Sequence, residues 1–319
     1  MSQRAFITGV AGFAGGYLAE HLLDNGDAVL GSAVDGKWAA STLKAVIDRV
    51  ELAGWDLGRP ESPAGLQAIV RFQPDCIYHL AGLSMPEDCG ASEPNPQALA
   101  VNVDGTRRVL ALAAGLEGRP RVLVISSSHV YAPVSAQAPQ VAETAPLGPS
   151  DGYGRTKLMA EELVRHAVAN SGMDAVIARS FQHTGPGQSS RMMLSQWARQ
   201  FAAGGNSPVA IYTGNASIDL TDVRDVVRAY RLLMERGERG EVYNIGSGIA
   251  RTSGAIFDVL REAADPARQR PIAEIRPGVK QDPIADVSRL VRATGWRPEI
   301  PLEKTVADTF AWWQREERD

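Results

Sequence analysis

A glycine-rich segment that directly follows a short apolar run constrains the fold of this chain more than any other feature. The run covers residues 5–7, and glycines stand at Gly9, Gly12 and Gly15. In a strand–turn–helix unit the first glycine permits a tight turn, the second lets backbone N–H groups approach a pyrophosphate, and the third allows the helix to pack closely on the strand. The positive end of the helix dipole attracts the same anion. The spacing therefore predicts a dinucleotide site at the start of the chain.

An acidic residue about 20 positions further on is expected to bind a ribose hydroxyl of the dinucleotide. Asp35 stands at the end of the second strand-like run, which favours NAD(H). Its neighbour Lys37 could instead bind a 2′-phosphate, so the sequence leaves NADP(H) open. In a further interpretation, Asp35 is a solvated loop residue that binds no cofactor.

Short apolar runs alternate with longer amphipathic stretches through the first half of the chain. The strand-like runs cover residues 5–7, 28–34, 76–80, 122–126 and 175–178, and the helix-like stretches cover residues 16–25, 102–116 and 154–170. Runs that are apolar throughout are typical of strands buried on both faces, and their alternation with helices is typical of a parallel sheet. We therefore predict an α/β fold with a Rossmann-type doubly wound parallel sheet.

The regular alternation ends near residue 179, where proline and glycine begin to separate shorter elements. A helix over 223–234 and a strand over 242–245 are regular enough to rejoin the sheet. We therefore predict two domains. They are an NAD(P)-binding Rossmann domain of residues 1–178 plus about 219–249, and a smaller, discontinuous C-terminal substrate domain of residues 179–218 and 250–319.

Charge and composition argue against several kinds of partner. The net charge is -4 and no run of Lys and Arg exceeds the pair Arg107-Arg108, so the basic surface that nucleic acids require is missing. No apolar stretch reaches the ~20 residues that span a bilayer, and strand-like sequence from Ala5 leaves no room for a signal peptide. We expect a cytoplasmic protein with no nucleic-acid or membrane partner. Cys76 and Cys89 have no metal-ligand spacing around them, so no metal site is expected.

Hydroxyl side chains follow the run of residues 122–126, at the edge where open α/β sheets bind ligands. Ser127 is one of them, and Tyr153 and Lys157 follow one helical turn apart, so they share a helix face. A nearby ammonium favours an ionised phenol, so Lys157 is expected to lower the pKa of Tyr153. Taken singly, each residue has a simpler role in packing, solvation or backbone hydrogen bonding. Together with the glycines they predict that Ser127 holds a carbonyl oxygen and Tyr153 transfers a proton, while a nicotinamide transfers a hydride.

The sequence resembles the extended short-chain dehydrogenase/reductases, the NAD-dependent epimerase/dehydratase family, over nearly its whole length. The segments that carry the resemblance are residues 9–15, 55–57, 79–82 and 102–106, the set Ser127, Tyr153 and Lys157, and residues 242–248 and 294–298. The family includes sugar-nucleotide epimerases, 4,6-dehydratases and 4-ketoreductases. Residues 178–188 are most similar to the reductases of GDP-4-keto-6-deoxy-mannose, with the GDP-mannose 4,6-dehydratases next. The resemblance implies an NAD(P)-dependent oxidoreductase that acts on a nucleotide sugar.

The resemblance also implies which residues contact the two ligands. The implied cofactor contacts are Gly9, Gly12, Phe13, Ala14, Gly15, Asp35, Asp56, Leu57, Leu80, Ala81, Gly82, Asn102, Tyr153, Lys157, Phe181 and His183. The implied substrate contacts are Ser84, Ser128, His129, Gln182, Arg191 and Arg276. The helices expected at 102–116 and 154–170 correspond to a pair that often forms a dimer interface in the family. A homodimer is therefore expected from the resemblance, although the apolar positions of these helices could instead face the chain's own sheet.

Two neighbouring residues argue against dehydration. The family's dehydratases use acidic groups just after the catalytic hydroxyl, whereas this chain has Ser128 and His129 there. Neither side chain easily replaces a pair of carboxyl groups, and the reduction of a ketone needs no such pair. His129 is either a substitute acid–base group or a histidine satisfied within the structure.

The substrate side departs from the family in two places. Gln182 stands where the family usually has Asn, and Ile218 stands where it has an Arg that touches the diphosphate. An isoleucine cannot replace a bidentate phosphate partner. Arg191, Arg276 and Lys280 are the candidate phosphate contacts that remain, unless they are solvated surface charges.

These observations favour an enzyme that reduces a 4-keto-6-deoxy sugar nucleotide, GDP-linked, to its 4-hydroxy product. The alternatives are a 4-epimerase, which needs the same three residues, and a 4,6-dehydratase of the same family. A non-catalytic protein that senses a dinucleotide is the alternative outside enzymes. Such proteins typically lack the Tyr or the Lys, and both are present here.

Overall fold

The computed structural model describes residues 2–39, 44–59 and 63–318. Its strands are β1 Arg4–Thr8, β2 Ala28–Ala33, β3 Glu51–Gly54, β4 Cys76–His79, β5 Arg121–Ser127, β6 Gln140–Val141, β7 Ala175–Ser180, β8 Gln182–Thr184, β9 Val209–Ile211, β10 Asn215–Asp222, β11 Val242–Ile245, β12 Ala250–Thr252, β13 Ile272–Glu274, β14 Val279–Gln281 and β15 Ile284–Ala285. Its helices are α1 Phe13–Asp24, α2 Lys44–Ile47, α3 Pro63–Phe72, α4 Pro96–Ala98, α5 Gly105–Gly115, α6 Gly152–Ser171, α7 Met193–Ala202, α8 Val223–Arg236, α9 Ser253–Ala264, α10 Ser288–Thr294 and α11 Leu302–Glu316. Within the described ranges, no helix has the length and apolar character needed to cross a lipid bilayer.

Seven strands of the described residues form the central sheet, in the order β11-β7-β5-β4-β1-β2-β3. Every neighbouring pair in this sheet is parallel. β4 and β7 are buried along their whole length, as expected for apolar strands whose two faces are covered. The structure confirms the predicted α/β class and its Rossmann-type parallel sheet.

Apolar helices cover both faces of the central sheet. On one face α1 packs against α8, and the core includes Leu18 and Tyr230. On the other face the core includes Val109 of α5 and Val164 of α6. Burying each aliphatic side chain of this kind stabilises the fold by roughly 1.5–3 kcal/mol. The sheet is thereby held as a rigid support whose strands all end at one edge.

The later part of the chain forms a smaller unit beside this sheet. β10 pairs with β12, β14 and β8, and α7, α9 and α11 pack against one another. Their shared core contains Trp197, Phe257 and Trp313. The rings of Trp197 and Phe257 meet edge to face, with centroids 5.3 Å apart.

The chain passes between the two units more than once. After β10, helix α8 packs against α1, and β11 joins the central sheet beside β7. β12 then returns to pair with β10. β10 crosses the boundary expected between residues 218 and 219, and the division into two domains stays a prediction.

Candidate active site

Backbone packing shapes the turn between β1 and α1. Gly9 has a φ of 72°, which glycine adopts without strain, and a Cβ there would lie 2.8 Å from the Cα of Ala81. A Cβ on Gly15 would lie 2.2 Å from the carbonyl oxygen of Gly9. Gly12 precedes α1, and no side chain caps this helix. The first N–H groups of α1 are therefore available to an anion, which fits the pyrophosphate of a dinucleotide.

Phe13, the first residue of α1, joins this turn to β8. Its ring stacks on His183, with centroids 6.2 Å apart and planes 7° apart. Nδ1 of His183 lies 3.1 Å from the carbonyl oxygen of Phe181, and burial lowers the pKa of His183. Ala14 is partly buried next to Phe13, whereas the Phe181 ring is buried in a separate apolar cluster. Phe181 can therefore reach a ligand only through its backbone.

Asp35 and Lys37 lie exposed in the turn after β2. Oδ1 of Asp35 accepts a hydrogen bond from the Lys37 N–H at 3.1 Å, which orders the carboxylate at the end of the strand. A carboxylate in this place suits a ribose hydroxyl, and a cation suits a 2′-phosphate. Both candidate cofactor contacts therefore stand at the same strand end.

Asp56 and Leu57 follow β3 and have different surroundings. Oδ1 of Asp56 accepts the Gly58 N–H at 2.9 Å, and its Oδ2 lies 3.4 Å from Nε of Arg59. Leu57 is buried, and a Cβ on Gly105 would lie 3.0 Å from the Leu57 Cβ. Leu57 is therefore a core residue, and the side chain that reaches the surface is that of Asp56.

A buried histidine fixes the end of β4. Nδ1 of His79 lies 2.8 Å from Thr8 Oγ1, and Nε2 lies 3.0 Å from Thr106 Oγ1. Burial lowers the pKa of His79 to about 3, so the ring is neutral at physiological pH. Leu80 and Ala81, which follow, are partly buried. This anchor sets the position at which the loop after β4 leaves the sheet.

Asn102 holds that loop in place. Its Nδ2 donates to the Leu83 carbonyl at 3.1 Å and to Thr156 Oγ1 at 2.9 Å, and its Oδ1 accepts the Leu83 N–H at 2.8 Å. A Cβ on Gly82 would lie 2.9 Å from the Asn102 Oδ1 and 3.5 Å from Nζ of Lys157. Asn102 therefore acts on the loop, and Gly82 brings the loop backbone against Lys157.

The predicted catalytic side chains meet at the carboxyl edge of the sheet. Ser127 ends β5, Tyr153 is the second residue of α6, and Lys157 lies one turn further along. Nζ of Lys157 lies 5.8 Å from the Tyr153 ring centroid and donates to the Ile125 carbonyl at 2.9 Å. The Ser127 side chain lies close enough to the Tyr153 hydroxyl to lower the pKa of that group. Two hydroxyl groups thus lie together, as required to hold one carbonyl oxygen between two donors.

Burial dominates the ionisation of this set. It raises the pKa of Tyr153 to about 12, although the hydrogen bond with Ser127 lowers it. It lowers the pKa of Lys157 to about 8. Burial therefore outweighs the other influences on the Tyr153 pKa, and the lowering by Lys157 stays a prediction. A phenol with this pKa keeps its proton at neutral pH, as a proton donor must.

A buried ion pair connects the strand of Ser127 to the helix of Tyr153. Glu161 of α6 accepts hydrogen bonds from Ser126 Oγ at 2.6 Å and from two nitrogens of Arg179, in β7, at 2.8 and 2.9 Å. Burial raises the pKa of Glu161, but the hydrogen bond and charge of Arg179 outweigh burial, and the pKa lies below its usual range. The ionised pair therefore holds β5, β7 and α6 in fixed positions.

The start of α6 packs closely on the end of β5. Asp151 caps the helix, because its Oδ1 accepts the Gly154 N–H at 2.7 Å, and its Oδ2 lies 2.8 Å from Nδ1 of His129. The His129 ring meets the Tyr153 ring edge to face, with centroids 5.4 Å apart. A Cβ on Gly154 would lie 2.3 Å from the His129 carbonyl oxygen. Sequence reasoning missed Asp151, although an acidic residue just before a helix is a readable capping signal.

Several predicted substrate contacts bind carboxylates of the chain itself. Nε2 of Gln182 donates to Oδ2 of Asp282 at 2.8 Å, and Nζ of Lys280 lies 3.0 Å from Oδ1 of the same residue. Arg191 forms ion pairs with the neighbouring carboxylates of residues 87 and 88. The burial of Asp151 raises its pKa, but its bonds to His129 and to a backbone N–H outweigh this, and Lys280 lowers the pKa further. The charge of Lys280 therefore acts on the Asp151 carboxylate.

The remaining predicted substrate residues differ in exposure. Arg276 is exposed and its guanidinium lies 5.8 Å from the Tyr212 ring centroid. Ser84 is exposed, whereas Ser128 is buried beside the end of β5. Ile218 is buried in the core of the smaller unit and pairs across strands with Arg251 of β12. Its side chain therefore packs in that core.

Comparison with known proteins places this site in a family. The model of the NAD dependent epimerase/dehydratase family matches residues 5–246. The chain belongs to this family. It is 31% identical to a GDP-6-deoxy-D-mannose reductase of Pseudomonas aeruginosa, over 100% of both chains. It is also 27% identical to a UDP-glucose 4-epimerase of Azospirillum brasilense, over 98% of this chain and 92% of the relative. The predicted family is confirmed, and with it the prediction of an NAD(P)-dependent enzyme.

Solved structures of epimerase/dehydratase family proteins have the same fold. The structure of RMD from Pseudomonas aeruginosa complexed with NADPH has a TM-score of 0.83 and 28% identity, with 99% of each chain covered. A dTDP-glucose 4,6-dehydratase of Bacillus anthracis in complex with NAD has a TM-score of 0.86 at 18% identity, with 99% and 98% of the chains covered. At 18% identity, the likeness to the dehydratase shows a shared fold alone. The prediction that a nicotinamide dinucleotide is the cofactor of this family member is confirmed.

Two further features of this epimerase/dehydratase family member lie outside the set around Tyr153. A cavity of about 290 Å³ between β10 and the start of α11 is lined by Leu220, Arg251 and Thr305 among others, and none of the predicted site residues lines it. In the part of the chain that the structure describes, no group of three or more His, Cys, Asp or Glu side chains is placed to hold a metal ion.

Proposed function

We propose that this chain reduces a 4-keto-6-deoxy sugar nucleotide, GDP-linked, to its 4-hydroxy product with NAD(P)H. One observation carries the proposal. Ser127, Tyr153 and Lys157 meet at the carboxyl edge of the sheet in a chain that aligns over its full length with a GDP-6-deoxy-D-mannose reductase.

The chain has groups suited to each part of the cofactor. The turn over residues 9–15 and the start of α1 would hold the pyrophosphate, and Lys157 would hold the nicotinamide ribose. Asp35 favours NAD(H), whereas Lys37 and the similarity to a structure solved with NADPH favour NADP(H). When bound, the cofactor supplies the hydride. Rates measured with NADH and with NADPH decide between the two dinucleotides.

The hydroxyl groups at the site carry the proton chemistry. Ser127 Oγ donates a hydrogen bond to the ketone oxygen and orients it toward Tyr153. As the oxygen gains negative charge, Tyr153 transfers its phenolic proton to it and becomes a phenolate. The ammonium of Lys157, while charged, stabilises that phenolate. The high pKa of Tyr153 keeps the proton in place until the oxygen becomes basic.

The residues after Ser127 support reduction over dehydration. Dehydration needs one group to protonate a leaving hydroxyl and another to remove a proton beside the ketone. Ser128 is a buried hydroxyl, and His129 is bound to Asp151. The two residues directly after Ser127 are Ser128 and His129, and neither carries a carboxyl group.

The sugar nucleotide would be bound by cations on the substrate side. Arg276 is exposed beside Tyr212, and Lys280 lies near Gln182 through their shared partner Asp282. Arg191 can contact a phosphate only by giving up the two carboxylates it now binds. Arg276 is therefore our first candidate for the diphosphate.

The assembly and location of the chain are also proposals. A homodimer would form through α5 and α6, and Met159 of α6 is exposed. A cytoplasmic location agrees with Cys76 and Cys89, which are both free and buried. Light scattering of the purified chain measures the assembly, and a monomer at all concentrations would contradict the dimer.

Mixing the pure chain with NADH or NADPH and a panel of 4-keto sugar nucleotides tests the activity. Loss of reduced-cofactor absorbance with a GDP-linked 4-keto-6-deoxy sugar is the expected result, and Tyr153→Phe should abolish it. No consumption with any member of the panel removes the proposal.

A 4-epimerase is the second candidate, because a UDP-glucose 4-epimerase aligns over most of the chain. An epimerase should be purified with tightly held NAD and should show no net cofactor turnover. A dinucleotide sensor should bind cofactor without turnover, and Tyr153→Phe should leave its properties unchanged.

A further inference from the structure

One acid–base pair at the site has no part in the reduction described above. Nδ1 of His129 lies 2.8 Å from Oδ2 of Asp151, and the exposed fractions of the two side chains are 33% and 22%. The backbone N–H of His129 donates to Ser127 Oγ at 3.2 Å, and its ring contacts the Tyr153 ring. Among the described residues, Nε2 of His129 has no hydrogen-bond partner. The pair therefore connects Ser127 and Tyr153 to the surface.

Each reduction removes one proton from Tyr153, and this proton must be replaced before the next turnover. Burial raises the pKa of Tyr153 to about 12, so its phenolate takes a proton from any suitable donor at neutral pH. Lys157 is a poor route to solvent because its side chain is buried and its Nζ is bound to the Ile125 carbonyl. His129 is partly exposed and its ring contacts the Tyr153 ring, so it is better placed than Lys157 to carry a proton from solvent to Tyr153.

We propose that His129, held by Asp151, is an additional acid–base residue that returns a proton to Tyr153 after each reduction. The proposal rests on the proposed reductase function. The Nε2–H bond of an imidazolium breaks and its electron pair stays on Nε2. A water molecule takes up this proton and gives one of its own to the phenolate oxygen, which forms the O–H bond of Tyr153. The neutral imidazole then takes a proton from water at the surface. Asp151 stays ionised and keeps a proton on Nδ1, which leaves Nε2 as the exchanging nitrogen.

Other titratable groups surround Tyr153 and the His129–Asp151 pair. Nζ of Lys157 lies 5.8 Å from the Tyr153 ring centroid, Cys89 and Tyr230 interact electrostatically with Tyr153, and Lys280 does so with Asp151. Burial raises the pKa of the Cys89 thiol and of the Tyr230 phenol, so both stay neutral near pH 7. Lys280 is exposed and paired with Asp282. Histidine is the side chain that exchanges protons most readily near neutral pH, which selects His129 from this group.

His129→Gln, assayed as the full chain with the 4-keto sugar nucleotide that the wild type reduces, separates this role from a structural one. The return of the proton follows hydride transfer, so kcat in weak buffer should fall about tenfold or more while kcat/KM changes little. Added imidazole should restore kcat in a saturable way and leave the wild type unchanged. His166→Gln, at an exposed histidine of α6, is the matched control and should behave as wild type.

Asp151→Asn keeps the helix cap, because asparagine also caps helices, but removes the carboxylate from Nδ1. It should lower kcat more than kcat/KM while the free energy of unfolding stays close to that of the wild type. Equal losses of kcat and kcat/KM in His129→Gln that imidazole does not restore overturn the proposal, as does an unchanged kcat. A wild type that reduces no 4-keto sugar nucleotide overturns the proposed function itself, and the proton return with it.

Discussion

Replacing Glu161 with glutamine tests whether the buried ion pair holds the catalytic strand and helix together. The carboxylate accepts one hydrogen bond from Ser126, two from Arg179 and one from Arg165, all within 2.9 Å. The side chains of Arg179 and Glu161 are 1% and 0% exposed. Removing the negative charge leaves the guanidinium buried without a counter-charge, and breaking such a pair costs about 3–5 kcal/mol. We expect the free energy of unfolding to fall by that amount in Glu161→Gln.

Urea unfolding followed by tryptophan fluorescence measures this loss. Glu162→Gln, the exposed neighbour on α6, is the matched control and should change the free energy by no more than about 0.5 kcal/mol. The double variant Glu161→Leu with Arg179→Met removes both charges and should recover most of the loss, because apolar replacement of a buried pair is often neutral. If Glu161→Gln loses no more stability than Glu162→Gln, the reasoning is refuted.

The same carboxylate makes stability depend on pH. Burial raises the pKa of Glu161, but Arg179 outweighs it, so the pKa in the folded chain lies below the usual range. A group of this kind stabilises the fold fully above its unfolded pKa of about 4.3, and that contribution is lost as the pH falls through the folded value. The difference in unfolding free energy between wild type and Glu161→Gln should therefore shrink as the pH falls below about 4.

Four other changes have defined outcomes. Gly15→Ala places a Cβ 2.2 Å from the Gly9 carbonyl oxygen, so overpacking of about 1–3 kcal/mol should weaken cofactor binding in a fluorescence titration. Tyr153→Phe should lower kcat by about 10²–10⁴-fold with the cofactor affinity unchanged. Because burial lowers the pKa of Lys157 to about 8 and its charged form stabilises the phenolate, the rate of reduction should fall as the pH rises through that value, and a flat profile would contradict this. Arg276→Gln should raise the KM of the sugar nucleotide and leave kcat nearly unchanged.

The central strands were predictable because they are continuous apolar runs buried on both faces. β3 escaped prediction since its sequence, Glu-Leu-Ala-Gly, has no β-branched or aromatic residue, and it lies at the edge of the sheet beside β2. The short strands of the smaller unit are defined by partners far along the chain. β9 at Val209–Ile211 pairs with β13 at Ile272–Glu274. A three-residue strand of that kind carries no local pattern long enough to detect.

The cofactor side and the substrate side of the site also differ in whether local sequence or distant contacts determine them. The turn over residues 9–15 could be predicted because its function depends on local backbone geometry, and Gly9 and Gly15 both need to be glycine in the structure. The partner of Gln182 is Asp282, 100 positions away, and the partners of Arg191 lie more than 100 positions before it. Those contacts depend on tertiary folding, so the sequence could present Arg191 only as a free cation. Its ion pairs make it a weaker candidate for a phosphate than Arg276.

The ionisation of Tyr153 shows why spacing alone does not determine chemistry. The spacing of Tyr153 and Lys157 correctly brings the ammonium near the phenol, with Nζ 5.8 Å from the ring centroid. A Coulomb attraction, however, requires both charges to exist at the same pH, and burial raises one pKa to about 12 while it lowers the other to about 8. At neutral pH the pair is a protonated phenol beside a lysine that carries most of its charge. In this state Tyr153 can donate its phenolic proton as the reaction begins. A reductase needs that state to protonate the ketone oxygen, whereas a 4-epimerase must begin by accepting a proton from the sugar hydroxyl.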